Sequence, residues 1–139
     1  MKRSILIGLV VLALALASPL IAADDAVANA QAGTRAWLGL VDGGKYGGSW
    51  DEAAAMFKAA ISRPDWEKAA GNVRSQLGAL KARTQKSATF TKTLPGGPDG
   101  EYVVTQFDAQ FENKASAVET VTAVHEKDGS WRVAGYFIR

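Results

Sequence analysis

The apolar pattern of this chain changes period near Lys81, and no other feature restricts the fold as much. Before that point apolar side chains recur at helical spacing. They run Val27, Ala30, Thr34, Trp37, Val41; then Ala53, Met56, Phe57, Ala60; then Trp66, Ala69 or Ala70, Val73, Leu77, Leu80. Beyond it they alternate with polar residues, as strands with one buried face do. A run of helices followed by a run of strands predicts an α+β fold. The reading is three N-terminal helices packed on one face of a four-stranded antiparallel meander sheet.

Turn and cap residues set the expected boundaries. The first helix, Asp24 to Val41, ends at Gly43-Gly44. Ser49-x-x-Glu52 has the form of a capping box, with Ser49 as the N-cap of the second helix. That helix stops near Ser62, because Pro64 disfavours helical geometry at Arg63. Pro64, Asp65 and Glu67 suit the first turn of a third helix. Strands are expected at Thr84 to Leu94, Glu101 to Phe111, Ala115 to Lys127 and Ser130 to Arg139. The loop PGGPDG, a turn at Asn113-Lys114 and the hairpin signal Asp128-Gly129 join them.

These turns fix a register. Phe107 falls opposite Thr120, Val103 opposite Val124 and His125 opposite Arg132. One face then collects Val103, Phe107, Phe111, Val118, Val124, Trp131, Val133 and Phe137, and the helices are expected to dock there. The other collects Asp108, Glu119, Ala123, His125 and Arg132 with a half-apolar set: Tyr102, Val104, Gln106, Val121, Tyr136 and Ile138. Such a mixed face reads as an interaction surface for a homodimer or an envelope protein.

The N-terminus points to export. Lys2 and Arg3 precede the apolar run ILIGLVVLALALA, and Ser18, Pro19 and small residues follow. That is the plan of a signal peptide, with cleavage expected after Ala22 or Ala23. The run is shorter than the ~20 residues needed to span a bilayer. The expected product is a periplasmic or secreted protein without a stable membrane anchor. Residues 1–23 form the signal peptide and 24–139 a single α+β domain. The chain has no cysteine, so no disulfide supports it and its core must suffice.

Of 16 Lys and Arg, two belong to the leader, leaving 14 against 14 acidic residues. A neutral mature chain gives no electrostatic footprint for nucleic acid. Charge is nevertheless uneven. Lys58, Arg63, Lys68, Arg74, Lys81, Arg83, Lys86 and Lys92 are opposed within their stretch only by Asp65 and Glu67. This reads first as solvated faces of a helix and a strand, and second as a patch for an anionic partner.

The stretch GLVDGGKYGGSW, residues 39–50, nearly spells a phosphate-binding loop. It departs from that motif in carrying Tyr46 where Ser or Thr would hold magnesium. It also follows a helical pattern rather than a strand, and the helix after it opens with Asp51 and Glu52, which repel phosphate. It reads as a glycine-rich joint between helices.

Four pieces, AWLGLVDGGKYGGSWDEAAAMFK, VRSQLGALKAR, LPGGPDGEYVV and SAVETVTAVHEKDGSWRVAGYFIR, together resemble an exported bacterial family known as domain of unknown function 4019. The resemblance covers about Ala36 to Arg139. It implies a cystatin-like cone related to nuclear transport factor 2, and it brings no catalytic residues. Folds of this kind host enzymes, ligand binders and dimerisation domains alike.

Candidate chemistry is sparse. His125 is the single histidine, expected near Arg132 and Tyr102. Asp108 and Glu119 come out opposite each other, where a close pair of carboxylates could share a proton. One histidine and no cysteine leave little to ligate a metal, so neither metal nor cofactor is expected. If the cone encloses a pocket, its expected wall is Trp37, Tyr46, Trp50, Phe107 and Trp131. Convergence of Arg35, Asp42 and Gln106 in a cavity would favour an enzyme. The reading that follows is a non-catalytic binding or protein-interaction module, with no assigned catalytic residue. The alternative is a pocketed enzyme or small-ligand binder of the same fold.

Overall fold

A computed structural model describes residues 19–139. The basic and apolar parts of the expected leader lie outside them. Helix α1 (Pro19–Asp42) carries Ala30, Thr34, Trp37, Leu38 and Val41 on its buried stripe. It stops where Gly44 adopts φ +74°, a conformation that favours glycine. Lys45 N–H donates to the Leu40 carbonyl at 2.8 Å and closes the turn.

Two short helices follow, α2 (Tyr46–Glu52) and α3 (Ala55–Ala60). Here the structure corrects the capping-box reading. Ser49 lies fully buried inside α2 rather than capping a later helix. Its hydroxyl donates to the Tyr46 carbonyl at 2.6 Å and accepts Trp66 Nε1–H at 2.9 Å. Ala53 and Ala54 between the helices are extended and buried, and Ala54 N–H donates to the Val133 carbonyl at 2.8 Å. Docking on the sheet thus splits what local signals read as one helix.

Helix α4 (Arg63–Leu77) begins as expected. Ser62 is its N-cap, accepting Asp65 N–H at 3.3 Å, and Pro64 sits in the first turn. It buries Trp66, Ala70 and Arg74, while Val73 is 47% exposed. The inner stripe therefore runs through Arg74 instead of Val73.

Strands β1 (Leu80–Thr91), β2 (Tyr102–Phe111), β3 (Lys114–His125) and β4 (Trp131–Ile138) form one sheet in the order β1-β2-β3-β4, each pair antiparallel. This is the expected meander, with four helices where three were expected. The register differs. Phe111 pairs with Lys114, so the turn is Glu112-Asn113, and an irregularity between Ala109 and Phe111 shifts the ladder by one. Phe107 therefore faces Glu119, and Val103 faces Ala123. A one-residue slip exchanges the faces of a whole strand. Glu119, Val121 and Ala123 turn toward the helices, while Val118, Thr120 and Val124 turn away.

On β4 the expected Thr120–Phe137 pair forms, but a bulge between Thr122 and Ala123 resets the rest, and His125 faces Trp131. Tyr136 and Ile138 join the inner side through Val121 and Glu119. The main core gathers Trp37, Leu38, Val41, Phe57, Trp66, Ala70, Phe107, Val121 and Val133. Aromatic contacts run through it: Trp37 to Tyr136 at 5.2 Å between ring centroids and Phe57 to Trp66 at 5.0 Å.

Candidate functional site

The register shift carries a carboxylate into the interior. Five elements each supply one side chain to a polar cluster: Asp42 from the end of α1, Arg74 from α4, Arg83 from β1, Glu119 from β3 and Tyr136 from β4. Glu119 has no exposed surface. Arg83 grips it with Nε–H to Oε1 at 2.6 Å and Nη2–H to Oε2 at 3.1 Å. The same guanidinium donates to Asp42, Nη1–H to Oδ2 at 2.7 Å and Nη2–H to Oδ1 at 3.0 Å. Arg74 Nη2–H reaches Asp42 Oδ1 at 2.9 Å. The Tyr136 hydroxyl donates to Glu119 Oε2.

The four formal charges cancel. Burial alone would raise the Asp42 carboxyl, but the guanidiniums of Arg83 and Arg74 outweigh it and hold it below the ordinary carboxylate range. Burial works against the Arg83 charge, and its bonds to Asp42 and Glu119 more than reverse that, raising its pKa further. Burial and the neighbouring Glu119 push the Tyr136 hydroxyl well above its usual value, so it stays a donor. Both Glu119 oxygens are engaged, by the Arg83 fork and by the Tyr136 hydroxyl. The cluster is built as a strut between the helices and the sheet.

Clefts approach this strut from two sides. Between α1 and β1, a cleft of about 260 Å³ is lined by Arg35, Leu38, Gly39, Asp42, Arg83, Gln85 and Phe107. Arg35 and Asp42 thus meet at one opening. Gln106 does not join them: it lies on the outer sheet face, 3.5 Å from the Thr120 hydroxyl. Between α4 and β4, a second groove of about 260 Å³ is lined mainly by apolar residues together with Arg74 and Tyr136.

The residues named for a pocket wall divide. Trp37 and Phe107 are core, and Tyr46 and Trp50 pack against it. Trp131 belongs to a second cluster around Ala30, Val103 and Ala123. Trp37 and Trp131 also line an open cleft of about 460 Å³ between α1 and β4. Of the named interaction residues, Val104 and Gln106 lie on the outer face. Tyr102 is buried, its hydroxyl donating to the Pro98 carbonyl at 2.6 Å. Val121, Tyr136 and Ile138 face inward.

Asp108 and Glu119 are not opposed. Asp108 pairs with Val118 and is exposed, whereas Glu119 is interior. His125 stacks on Trp131 at 4.8 Å with rings 7° apart. Its ring nitrogens contact Glu101 Oε2 at 2.8 Å and the Gly129 carbonyl at 3.2 Å. The basic stretch is likewise partly absorbed: Arg74 and Arg83 lie in the strut, and Arg63 pairs with Asp51 and Glu67.

The sequence reading missed Arg74, Arg83 and the inward turn of Glu119 and Tyr136. One signal was available. Arg74 follows Trp66 and Ala70 at steps of four, so it lies on the apolar stripe as well as Val73 does.

Among the described residues, no helix is long and apolar enough to cross a membrane. A family described as "Protein of unknown function (DUF4019)" matches residues 33–136. The fold is similar to that of Aln2 from a Streptomyces species, solved at 1.8 Å. The TM-score is 0.52 at 14% identity, over 89% of this chain and 93% of that one. This likeness concerns the fold alone, the helix-capped α+β cone. No curated protein matches the sequence.

Proposed function

The chain belongs to the DUF4019 family, and we propose that it works as an exported, periplasmic binding module that holds a partner rather than performing chemistry. The observation that carries this reading is the outer face of the sheet. Val104, Val118 and Val124 are only half-buried there, Phe137 is 52% exposed, and Thr122 lies among them. The acids and arginines of the interior cluster neutralise one another, whereas this half-apolar stripe, with Asp108 and Arg139 beside Val118, is available for contact.

A second copy of the chain is the occupant we favour. β-branched side chains pack well on a pleated surface, which suits two such faces meeting. Export is supported by Lys2, Arg3 and the apolar run after them. Expression of the full chain followed by fractionation and N-terminal sequencing should yield a periplasmic product starting at Ala23 or Asp24. A full-length cytoplasmic product contradicts export. Because the chain lacks cysteine, Thr122→Cys provides a clean test of the contact. Mild oxidation should cross-link that variant and leave Ser75→Cys, on exposed α4 surface, uncoupled. Equal cross-linking of both would contradict the face-to-face contact.

A further inference from the structure

The cleft between α1 and β1 holds two features that the fold itself does not use. The first is Arg35, exposed at the rim and paired with no carboxylate among the described residues. The other charged residues of the lining, Asp42 and Arg83, are bonded to each other and belong to the strut, whose charges cancel. The Arg35 charge is therefore a surplus of one at this opening. The second feature is Gly39. It lies inside α1 without a positive φ, and a Cβ built on it would meet nothing within 4 Å. Neither conformation nor packing asks for glycine there, and glycine in a helix costs entropy that alanine would not. Its missing side chain leaves the cleft wall open. Gln31, Arg35 and Gly39 follow one another at steps of four, so they share one ridge of α1. Across the cleft, Gln85 Oε1 accepts from Gln31 Nε2 at 2.9 Å, and Gln85 Nε2 has no acceptor among the described residues.

We propose that this cleft binds a small organic monocarboxylate, held by the Arg35 guanidinium with the Gln85 amide as a second donor and seated against the bare backbone at Gly39. The planar fork of an arginine matches a carboxylate in both geometry and charge. The ligand is a monoanion because the surplus is one, and a second negative charge would be repelled by Asp42 in the same lining. The volume of about 260 Å³ falls below the ~300–1,000 Å³ of sites for drug-sized ligands, so the ligand is small. Leu38 and Phe107 form a floor that is almost wholly buried, so the charged head carries the affinity. An exposed arginine is screened by salt, and binding weakens as ionic strength rises. The cleft is separate from the outer sheet face, and failure of this inference leaves the contact proposed there standing.

Three probes that share a ring test it on the mature chain by amide chemical-shift titration at low salt and neutral pH. They are benzoate, with one negative charge, benzamide, with none, and phenyl phosphate, with two. Benzoate should bind saturably and shift residues 35–42 and 83–85. It should bind about tenfold more tightly than benzamide, and phenyl phosphate should bind no more tightly than benzoate. Arg35→Met should reduce benzoate to the benzamide affinity without moving the unfolding midpoint, because Arg35 pairs with nothing in the fold. Gly39→Leu fills the cleft wall with a better helix former. It should abolish benzoate binding while keeping or raising the midpoint, which a purely structural glycine would not allow. Absence of saturable shifts at the cleft, equal affinity for benzoate and benzamide, tighter binding of phenyl phosphate, or undiminished binding by either variant would each overturn the proposal.

Discussion

Glu119 is a carboxylate with no exposed surface in a strand otherwise rich in Val, Thr and Ala. It is tolerated because Arg83 and Tyr136 satisfy its oxygens, as a buried charge requires. Removing it would leave Arg83 Nε and the Tyr136 hydroxyl without their acceptor. Glu119→Ala should therefore destabilise the domain by about 3–5 kcal/mol, measured by denaturant unfolding. Replacing both partners, Glu119→Leu with Arg83→Met, should cost clearly less than the sum of the two single changes, since apolar substitutes leave fewer orphaned groups. Additive losses would contradict a coupled pair.

Asp42 adds a pH dependence with a definite sign. Its folded pKa lies below its unfolded value of 3.8. Its contribution is therefore complete above that value and is lost as pH falls through the folded pKa. Asp42→Asn should lower stability at pH 7 by on the order of 1 kcal/mol, since the carboxylate is only partly buried. The gap from the parent protein should close as pH falls below the ordinary carboxylate range. A gap independent of pH would mean that Asp42 acts through shape rather than charge.

At the level of elements, α1 is pressed hard against the sheet. A Cβ on Gly33 would stand 2.5 Å from the Trp131 carbonyl oxygen, part of a backbone that cannot swing aside. Gly33→Ala should therefore push α1 off β4 and destabilise by about 1–3 kcal/mol. An unchanged unfolding midpoint would show that the helix seat is looser than the packing implies. This close approach is invisible in the sequence, where Gly33 looks like any helical glycine.

Other elements were legible. The change of period near Lys81, the Ser62-Pro64 start of α4 and the Asp128-Gly129 turn are local signals, and local chemistry decides them. The face of β3 was not legible. It depends on a turn displaced by one residue and an irregularity near Phe111, and neither leaves a mark in composition. The candidate site depended on that face, so the sequence pointed to a pair of Asp108 and Glu119 where the fold makes a pair of Arg83 and Glu119. Likewise Ala53 and Ala54 read as helix until β4 offers Ala54 N–H the Val133 carbonyl.

Taken as a whole, the molecule places a neutralised set of charged groups inside and a partly apolar sheet face outside. Many soluble domains do the reverse. The arrangement makes sense if the outer face is covered in use. Val104 sits in β2 on that face, paired with Thr89 and Thr122 on its two sides. A lysine there would meet the lysine of the apposed copy across a dimer interface, a repulsive placement. In a monomer it would simply point into water and leave the fold intact.

Sedimentation equilibrium of the mature chain at rising concentration, beside Val104→Lys, decides whether a second copy covers this face. A dimer is expected for the parent sequence and a monomer for the variant. At dilutions where both are monomeric, their unfolding free energies should agree within about 0.5 kcal/mol. A parent chain that stays monomeric to the highest concentration reached would contradict the claim that its own copy covers the sheet.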